Sequence, residues 1–310
     1  MAILDRALVT LLPAVPRPVV RKLAGRYIAG PELADAVTVV RAANQAGKLA
    51  TVDVLGEEIT QVDETRALAG AYHDVFETID SEGLDANVSV KLTGLGLKLS
   101  PDVCRENLEA LTVDAAARGN FVRIDMEDSS TTDGTLRLYR GLREEGHDRI
   151  GIVLQATLKR TLADVDALAD LRPNVRLCKG IYVEPPRIAH REHQAVRENF
   201  AAALDALLEA GCYIGIATHD EWLIEHGRRA VAERGLGPDE YEFQMLLGVR
   251  PELGDELVRE GHRLRLYVPF GTHWYQYSLR RLQENPKIAG YVASDALGRL
   301  GLSRARRDGA

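Results

Sequence analysis

IGIVLQATL, residues 150–158, is a short run that is apolar at almost every position. Strands that are buried on both faces have this composition, and they occur in parallel sheets covered by helices. Polar residues would alternate with apolar ones if one face of the strand met water. The run therefore predicts an interior strand of a parallel sheet in an α/β fold.

Seven further β-rich runs of this kind lie along the chain, which gives eight in total. They are LATVDVLG (49–56), NVSVKLTGLG (87–96), FVRIDMED (121–128), NVRLCKGIY (174–182), CYIGIATHD (212–220), YEFQMLLG (241–248) and HRLRLYVPFG (262–271). Amphipathic stretches such as residues 101–119 and 191–211 separate them, and both of these end at a glycine suited to a helix C-cap. Eight evenly spaced strand–helix units predict a (β/α)8 TIM-like barrel. A doubly wound open sheet is the alternative, which fits the even spacing less well.

The predicted organisation is a single domain. Residues 1–48 form an N-terminal helical arm, and residues 49–310 form the barrel with a final helix over its C-terminal face. Residues 7–15 are apolar but much shorter than the roughly 20 residues of a membrane span, so packing on the barrel is favoured over membrane contact. Asp5 and the lack of a basic leader argue against a signal peptide, and we interpret the protein as cytoplasmic.

Composition excludes several classes of protein. The net charge of -7 and the lack of a basic stripe argue against a nucleic-acid partner. Cys104, Cys178 and Cys212 are scattered without a CxxC pair, which is typical of free thiols in a reducing compartment. No cysteine has an evident histidine partner, and His190 and His193 lack a metalloprotease pattern, so we predict neither a cysteine nucleophile nor a metal site.

Polar residues gather where the predicted strands end, and in barrels of this type the active site lies at that face. Lys91, Asp125, Gln155 and Gln244 fall inside the predicted strands themselves. Burying a charge without a partner is costly, so Lys91 and Asp125 are expected to pair with other groups. Membership of a functional site is favoured for these two residues, with a purely structural ion pair as the alternative.

The segment YVPFGTHWYQYSLRRLQENP, residues 267–286, follows the last predicted strand. Tyr277, Arg280, Arg281 and Glu284 are three and four residues apart, which places them on one helix face. Two adjacent guanidinium groups form a planar, permanently charged fork that suits a carboxylate. An exposed helix with a surface Arg–Glu pair is the alternative, but its position after the last strand favours a site for a small anion.

Seven ordered blocks together resemble the proline dehydrogenase family over roughly residues 50–286. They are VSVKLTGLG, RIDMED, VLQATL, RLCKGIYVEP, IATHD, FQMLLG and YVPFGTHWYQYSLRRLQENP. The resemblance implies oxidation of L-proline to Δ1-pyrroline-5-carboxylate by hydride transfer to FAD, the first step of proline catabolism. It also implies that electrons pass to a quinone, with a peripheral contact at the inner face of the membrane.

The resemblance assigns the substrate side of the site. The carboxylate would be held by Lys91, Arg280 and Arg281, and Glu284 would lie near the amine and orient the arginines. The remaining positions implied are the pocket walls Tyr267 and Tyr277, the ring contact Leu246, the buried carboxylate Asp125 that holds Lys91 and Tyr267, and Glu57, which would pair with a final-helix arginine and close the site. The tyrosine at position 267 implies a preference for proline over hydroxyproline.

The resemblance also assigns the flavin side. Gln155 would reach the isoalloxazine ring and Arg176 its N5 atom. The other implied contacts are the backbone of Cys178 and Gly180 with Tyr182 as a cradle, and Thr218 with His219 toward the rest of the FAD. Thr157 stands where many relatives carry an aromatic residue, and HREH (190–193) where relatives often place a lysine, so the adenine-side contacts differ here.

Two other functions remain as alternatives. Another flavin barrel, such as a folate reductase, would share the fold but would not need adjacent arginines. A non-enzymatic proline-binding or regulatory relative would keep the pocket without the reaction. Reduction of a bound flavin by proline would separate our interpretation from both.

Overall fold

Eight parallel strands form a closed barrel in the computed structural model, which describes residues 25–56, 59–275 and 277. The strands are β1 (Leu49–Val54), β2 (Ala86–Val90), β3 (Val122–Ile124), β4 (Ile150–Gln155), β5 (Asn174–Cys178), β6 (Tyr213–Ala217), β7 (Tyr241–Leu246) and β8 (Leu264–Phe270). Each strand pairs with the next in sequence, and β8 pairs with β1 through the register Ala50–Leu266 and Thr51–Tyr267. The predicted (β/α)8 barrel is confirmed, and the open sheet is excluded.

Helices cover the outside of the barrel. They are α1 (Leu33–Gln45), α2 (Val62–Ser81), α3 (Pro101–Ala117), α4 (Thr132–Glu144), α5 (Thr161–Leu168), α6 (His193–Glu209), α7 (Glu221–Glu233) and α8 (Pro251–Arg259). Their apolar faces pack on the strands, and residues such as Tyr72, Phe76, Leu108 and Phe200 are fully buried in the core. None of the described helices is long and apolar enough to cross a membrane.

The strands are shorter than the sequence runs that predicted them. β2 ends at Val90 and β3 at Ile124, so Lys91 and Asp125 directly follow their strands and do not lie inside them as predicted. The difference is a single residue at each strand end, and the Asp125 amide still donates to the Val90 carbonyl at 2.9 Å. Both side chains bond to polar groups at the mouth of the barrel. Gln155, Gln244 and Tyr267 do lie within strands, as predicted.

The N-terminal segment reaches the same end of the barrel. The Ala29 amide donates to the Pro269 carbonyl, and Tyr27 and Ile28 pack in a small apolar cluster with Leu55 and Tyr277. Helix α1 then packs against β1 and β8. The division of the chain at residue 48 stays a prediction, and most of the predicted arm, residues 1–24, lies outside the described residues.

Candidate active site

A cavity of about 700 Å³ opens at the carboxyl ends of the barrel strands. All predicted site residues that the structure describes line it: Lys91, Asp125, Gln155, Arg176, Cys178, Gly180, Tyr182, Thr218, His219, Leu246, Tyr267 and Tyr277. The structure therefore gathers residues that lie within or directly after every strand but β1 around one space. Glu57, Arg280, Arg281 and Glu284 lie outside the described residues.

Asp125 stands at the centre of a hydrogen-bond network on the cavity floor. Its Oδ1 accepts from Ser89 Oγ at 2.7 Å and from Arg176 Nη1 at 2.5 Å, and its Oδ2 accepts from Tyr267 OH at 2.8 Å. Burial, followed by the nearby Asp125 charge, raises the pKa of Tyr267 well above its usual value. The phenol is therefore a neutral donor to the carboxylate at all physiological pH values.

Among the described residues, the nearest partner of Lys91 is Asp53, which the sequence interpretation did not single out. Lys91 Nζ lies 2.9 Å from both Asp53 carboxylate oxygens, 3.4 Å from Tyr267 OH and 3.7 Å from Asp125 Oδ2. Asp53 is completely buried, and Tyr72 OH lies 3.2 Å from its Oδ1. A charged residue in the middle of the run LATVDV was the available signal, because a buried carboxylate requires a cation.

Arg176 links the cavity to the barrel interior. Its Nε donates to Gln244 Oε1 at 2.6 Å, and its guanidinium carbon lies 5.2 Å from the centre of the Tyr267 ring. Gln244 Nε2 donates to Glu242 Oε1 at 2.5 Å, and Glu242 is ion-paired with Arg265 at 2.8 Å. Asp53, Lys91, Asp125 and Arg176 together carry two negative and two positive charges, so the cavity floor is close to neutral.

The cradle on the β4–β5 side is shaped by Gln155 and Gly180. Gln155 Nε2 donates to the carbonyls of Met126 and Glu127 at 2.8 and 3.1 Å, which orients its Oε1 away from those carbonyls. Gly180 has φ +95°, and a Cβ there would collide with Thr157 Oγ1 and lie 3.1 Å from Gln155 Cβ. Only glycine fits this position, so the Gly180 backbone can lie directly against Gln155 and Thr157 at the wall of the cavity.

His219 is held in one tautomer. Its Nε2 accepts the backbone N–H of Leu246 at 3.0 Å. A backbone N–H can only donate, so Nε2 carries no proton and the ring proton of the neutral side chain is on Nδ1. The Arg250 side chain also donates to the His219 carbonyl at 2.9 Å. Thr218 is buried beside it, and its hydroxyl accepts from the Asp220 amide at 3.1 Å.

Asp220 is paired with several basic side chains at the outer edge of the cavity. It accepts from Lys179 Nζ at 2.5 Å and from Arg197 at 2.7 and 2.9 Å, and His193 Nε2 lies 3.4 Å away. Burial of this carboxyl would raise its pKa, but the bonds from Arg197 and Lys179 outweigh burial and hold the pKa well below its usual range. At this edge of the cavity the Asp220 carboxylate is therefore shared by two permanent cations, Lys179 and Arg197.

Cysteines and metal-type ligands do not supply other chemistry in the described part of the cavity. Burial raises the pKa of Cys178 to about 11, so its thiol is protonated and weakly nucleophilic. All three cysteines are free thiols, as predicted. Glu109, Glu145 and His147 lie close enough together to share an ion, but they belong to the outer helix layer, and Arg105 already pairs with Glu145 at 2.6 Å.

Comparisons with known proteins agree on one family. A family model described as proline dehydrogenase matches residues 36–294. Proline dehydrogenase 1 of Bacillus subtilis (strain 168) is 37% identical over 274 residues, which cover 88% of this chain and 90% of that protein. Proline dehydrogenase of Deinococcus radiodurans is 37% identical over 279 residues, which cover 89% and 90%.

A solved structure agrees on the fold. The crystal structure of proline utilization A from Bdellovibrio bacteriovorus, inactivated by N-propargylglycine, superposes with a TM-score of 0.80 at 23% identity. The superposition covers 88% of this chain and 34% of that longer chain. It supports the same barrel architecture.

Proposed function

The chain belongs to the proline dehydrogenase family and is a flavin-dependent oxidoreductase that oxidises proline in the first step of proline catabolism; we propose that its flavin is FAD and that the cavity at the barrel mouth holds both FAD and L-proline. The product is Δ1-pyrroline-5-carboxylate. The observation that carries this proposal is the pairing of Lys91 with a buried carboxylate directly beside the cavity.

Proline lies with its carboxylate toward Lys91, and Arg280 and Arg281 complete the clamp. The negative charges of Asp53 and Asp125 balance the positive charges of Lys91 and Arg176. The proline carboxylate, which adds one negative charge, is therefore recognised by the final-helix arginines as well as by Lys91. The Lys91 ammonium is already held in place by a buried carboxylate, so it loses little conformational freedom when a ligand binds. Such a cation favours the binding of a small anion.

The ring of proline is enclosed by apolar and aromatic side chains. Leu246, Tyr267 and Tyr277 line the cavity, and Tyr277 is only 7% exposed. The Tyr267 hydroxyl is fixed between Asp125 and Lys91, so it leaves no room for a ring hydroxyl. The site thus selects proline over hydroxyproline. The family resemblance would place Glu284 near the amine and Glu57 against an arginine of the final helix; these positions lie outside the described residues.

FAD, when bound, accepts the hydride that leaves the proline ring. Gln155 and Arg176 would contact its isoalloxazine ring, beside the Gly180 backbone at the cavity wall. Cys178, Tyr182, Thr218 and His219, which also line the cavity, would supply the other contacts. The chain's own contribution is to orient proline, to exclude water and to bind its amine in the deprotonated form, with no acid–base triad.

We propose further that the electrons pass to a quinone and that the protein works in the cytoplasm with a peripheral contact to the inner face of the membrane. Support for this comes from the family resemblance alone. Reduction of a soluble quinone analogue by proline, with and without lipid vesicles, tests the acceptor and the contact separately.

Proline-dependent dye reduction by the wild type and by Arg281→Met tests the proposed carboxylate clamp. We expect a large rise in the proline KM of Arg281→Met and of Lys91→Met, because each removes one cation from the clamp. Lys98→Met is the matched control, because Lys98 is half exposed, pairs with Asp128 at 2.9 Å and does not line the cavity. Equal proline KM values for all four proteins would refute the clamp.

The flavin itself tests the reaction. Purified holoenzyme should be yellow and should bleach when proline is added without oxygen. A flavin spectrum that does not change at saturating proline would refute proline oxidation and would favour the binding-protein or other flavin-oxidoreductase alternatives. Release of the cofactor by acid and its identification by mass would distinguish FAD from FMN.

A further inference from the structure

Three described residues hold the Arg176 guanidinium through two of its nitrogens. Nη1 donates to Asp125 at 2.5 Å and lies 3.2 Å from Ser89 Oγ, while Nε donates to Gln244 at 2.6 Å. No residue in the described parts of the chain accepts a hydrogen bond from Nη2, and Arg176 lines the cavity. Nη2 is therefore the edge that the guanidinium presents to a bound ligand.

The direction of the Gln244 amide is dictated by its neighbours. Glu242 is a carboxylate, so it can only accept, and the Gln244 group facing it at 2.5 Å must be the NH2. The amide oxygen is then left facing Arg176 Nε, which can only donate. Glu242 is itself fixed by Arg265 at 2.8 Å and by Tyr213 OH at 3.1 Å. This chain of donors and acceptors permits one arrangement.

A glycine makes the Gln244 contact sterically feasible. Arg176 is on β5 and Gln244 on β7, so their side chains meet across β6, where Gly215 pairs with Arg176 in register. A Cβ at Gly215 would lie within 2.8 Å of Gln244 Cδ. Any other residue at position 215 would displace the amide from its place between the two strands.

We propose that Gln244 is a positioning residue of the oxidation reaction: anchored by Glu242, it fixes the plane of Arg176 so that the Nη2 edge faces the flavin. This inference rests on the proposed function, because it requires a flavin beside Arg176. Asp125 and Ser89 both bond to Nη1 and so hold only one end of the guanidinium, which leaves its other end without a hydrogen-bonded anchor. Gln244 supplies that anchor by holding Nε.

Gln244→Leu tests the proposal in the holoenzyme, because leucine fills similar space but makes no hydrogen bond. We expect kcat to fall at least tenfold and the proline KM to stay within twofold, because Lys91 and Tyr267 keep their own partners. The midpoint potential of the flavin should also fall, because a mobile cation stabilises the reduced flavin less. A tenfold loss in the preference of the site for reduced over oxidised flavin corresponds to a shift of about 30 mV for a two-electron couple.

Controls separate positioning from general stability. Gln194→Leu removes an exposed glutamine that contacts Glu198 at 3.0 Å, and it should change neither kcat nor the flavin potential. A lower melting temperature of Gln244→Leu with an unchanged potential and kcat would show a merely structural role and overturn the proposal. If Gln244→Leu does not fold, Gln244→Asn replaces it, because it keeps the amide and is only one methylene shorter.

A residue swap tests the direction of the hydrogen bonds. Gln244→Glu places two carboxylates in contact and should impair kcat and stability, while the double variant Gln244→Glu/Glu242→Gln restores a donor facing an acceptor. We expect the double variant to recover at least half of the lost kcat. A double variant as impaired as Gln244→Glu would overturn the proposal.

Arg176→Lys distinguishes failure of this inference from failure of the proposed function. If Arg176→Lys leaves the flavin potential unchanged, the proposed contact between Arg176 and the flavin is wrong. If Arg176→Lys lowers the potential but Gln244→Leu does not, the contact stands and the positioning role of Gln244 is wrong.

Discussion

Lys91 and Asp53 form a buried ion pair in which the ammonium nitrogen lies 2.9 Å from both carboxylate oxygens. Asp53 is on β1 and Lys91 directly follows β2, so the pair ties neighbouring strands together at the mouth of the barrel. The Asp125 carboxylate is farther from the ammonium, at 3.7 Å. Asp53 therefore decides where the ammonium is held, although it does not line the cavity itself.

Asp53→Asn should weaken both folding and substrate binding. Removing one partner of a buried pair leaves the other charge uncompensated, and we expect a loss of about 3 kcal/mol in the free energy of unfolding. Lys91 should also move toward Asp125, which raises the proline KM. Urea denaturation and steady-state kinetics measure the two effects. Thr51→Val, the control, removes the hydrogen bond from Thr51 on β1 to Asn87 on β2 and should leave the KM unchanged. A wild-type KM in Asp53→Asn would contradict the role of Asp53 in positioning Lys91.

Tyr267→Ser should admit a hydroxylated substrate. The Tyr267 hydroxyl is fixed by Asp125 at 2.8 Å, so the ring cannot swing away from the pocket. We expect the ratio of kcat/KM for 4-hydroxyproline to that for proline to rise at least tenfold. Tyr267→Phe removes only the hydroxyl and keeps the ring, so its ratio should rise less than that of Tyr267→Ser. The interpretation fails if Tyr267→Ser leaves the ratio unchanged.

Gly180→Ala should lower flavin affinity beyond the general cost of its backbone conformation. Gly180 and Gly211 both have positive φ, +95° and +71°, and alanine is disfavoured there by about 1 kcal/mol. Only at Gly180 would the new methyl group meet other atoms, among them Thr157 Oγ1. Fluorescence titration of apoprotein with FAD should show at least tenfold weaker binding for Gly180→Ala and wild-type binding for Gly211→Ala. Equal affinities in the two variants would count against the cradle.

Asp220 should make stability fall in acid. Arg197 and Lys179 outweigh the opposing effect of burial, and the folded-state pKa of Asp220 is therefore depressed. The stabilisation is complete above the unfolded pKa, ~3.9, and is lost as the pH falls from there toward the folded pKa. Asp220→Asn keeps a side-chain oxygen that can accept the Trp222 N–H at the start of the helix, but it removes the negative charge.

Melting temperatures across pH measure this effect. The difference between the wild type and Asp220→Asn should be largest near neutral pH and should shrink below about pH 4. Asp239→Asn is the control, because its partner Arg263 and its own side chain are at the surface, where ion pairs contribute little. A difference that grows toward low pH would contradict the role of Asp220 as a charged partner.

The sequence was sufficient for the fold because the signal is repeated. Eight apolar runs such as residues 150–158 predicted eight strands, and each supports the others. The strand ends were less predictable, since Lys91 and Asp125 leave the sheet to bond with side chains that are distant in sequence. The family resemblance supplied the predicted site residues, and every described one lines the cavity.

Asp53 and the Arg176–Gln244 contact escaped prediction for a physical reason. Asp53 meets Lys91 just after the neighbouring β2, Arg176 meets Gln244 across β6, and both contacts depend on the register between strands. A periodicity measured along one strand contains no information about that register. The sequence likewise does not indicate that Gly215 makes room for the Arg176–Gln244 contact.

The pairing of β1 with β8 has a consequence for synthesis of the protein. Thr51 lies beside Tyr267 in the closed barrel, although the ribosome makes one near the start and the other near the end of the barrel sequence. The Lys91–Tyr267 contact therefore cannot form in a nascent chain until β8 has left the ribosome exit tunnel. Truncated chains that stop before residue 264 should bind neither substrate nor cofactor, and their unpaired β1 and β7 edges expose them to aggregation and to chaperones.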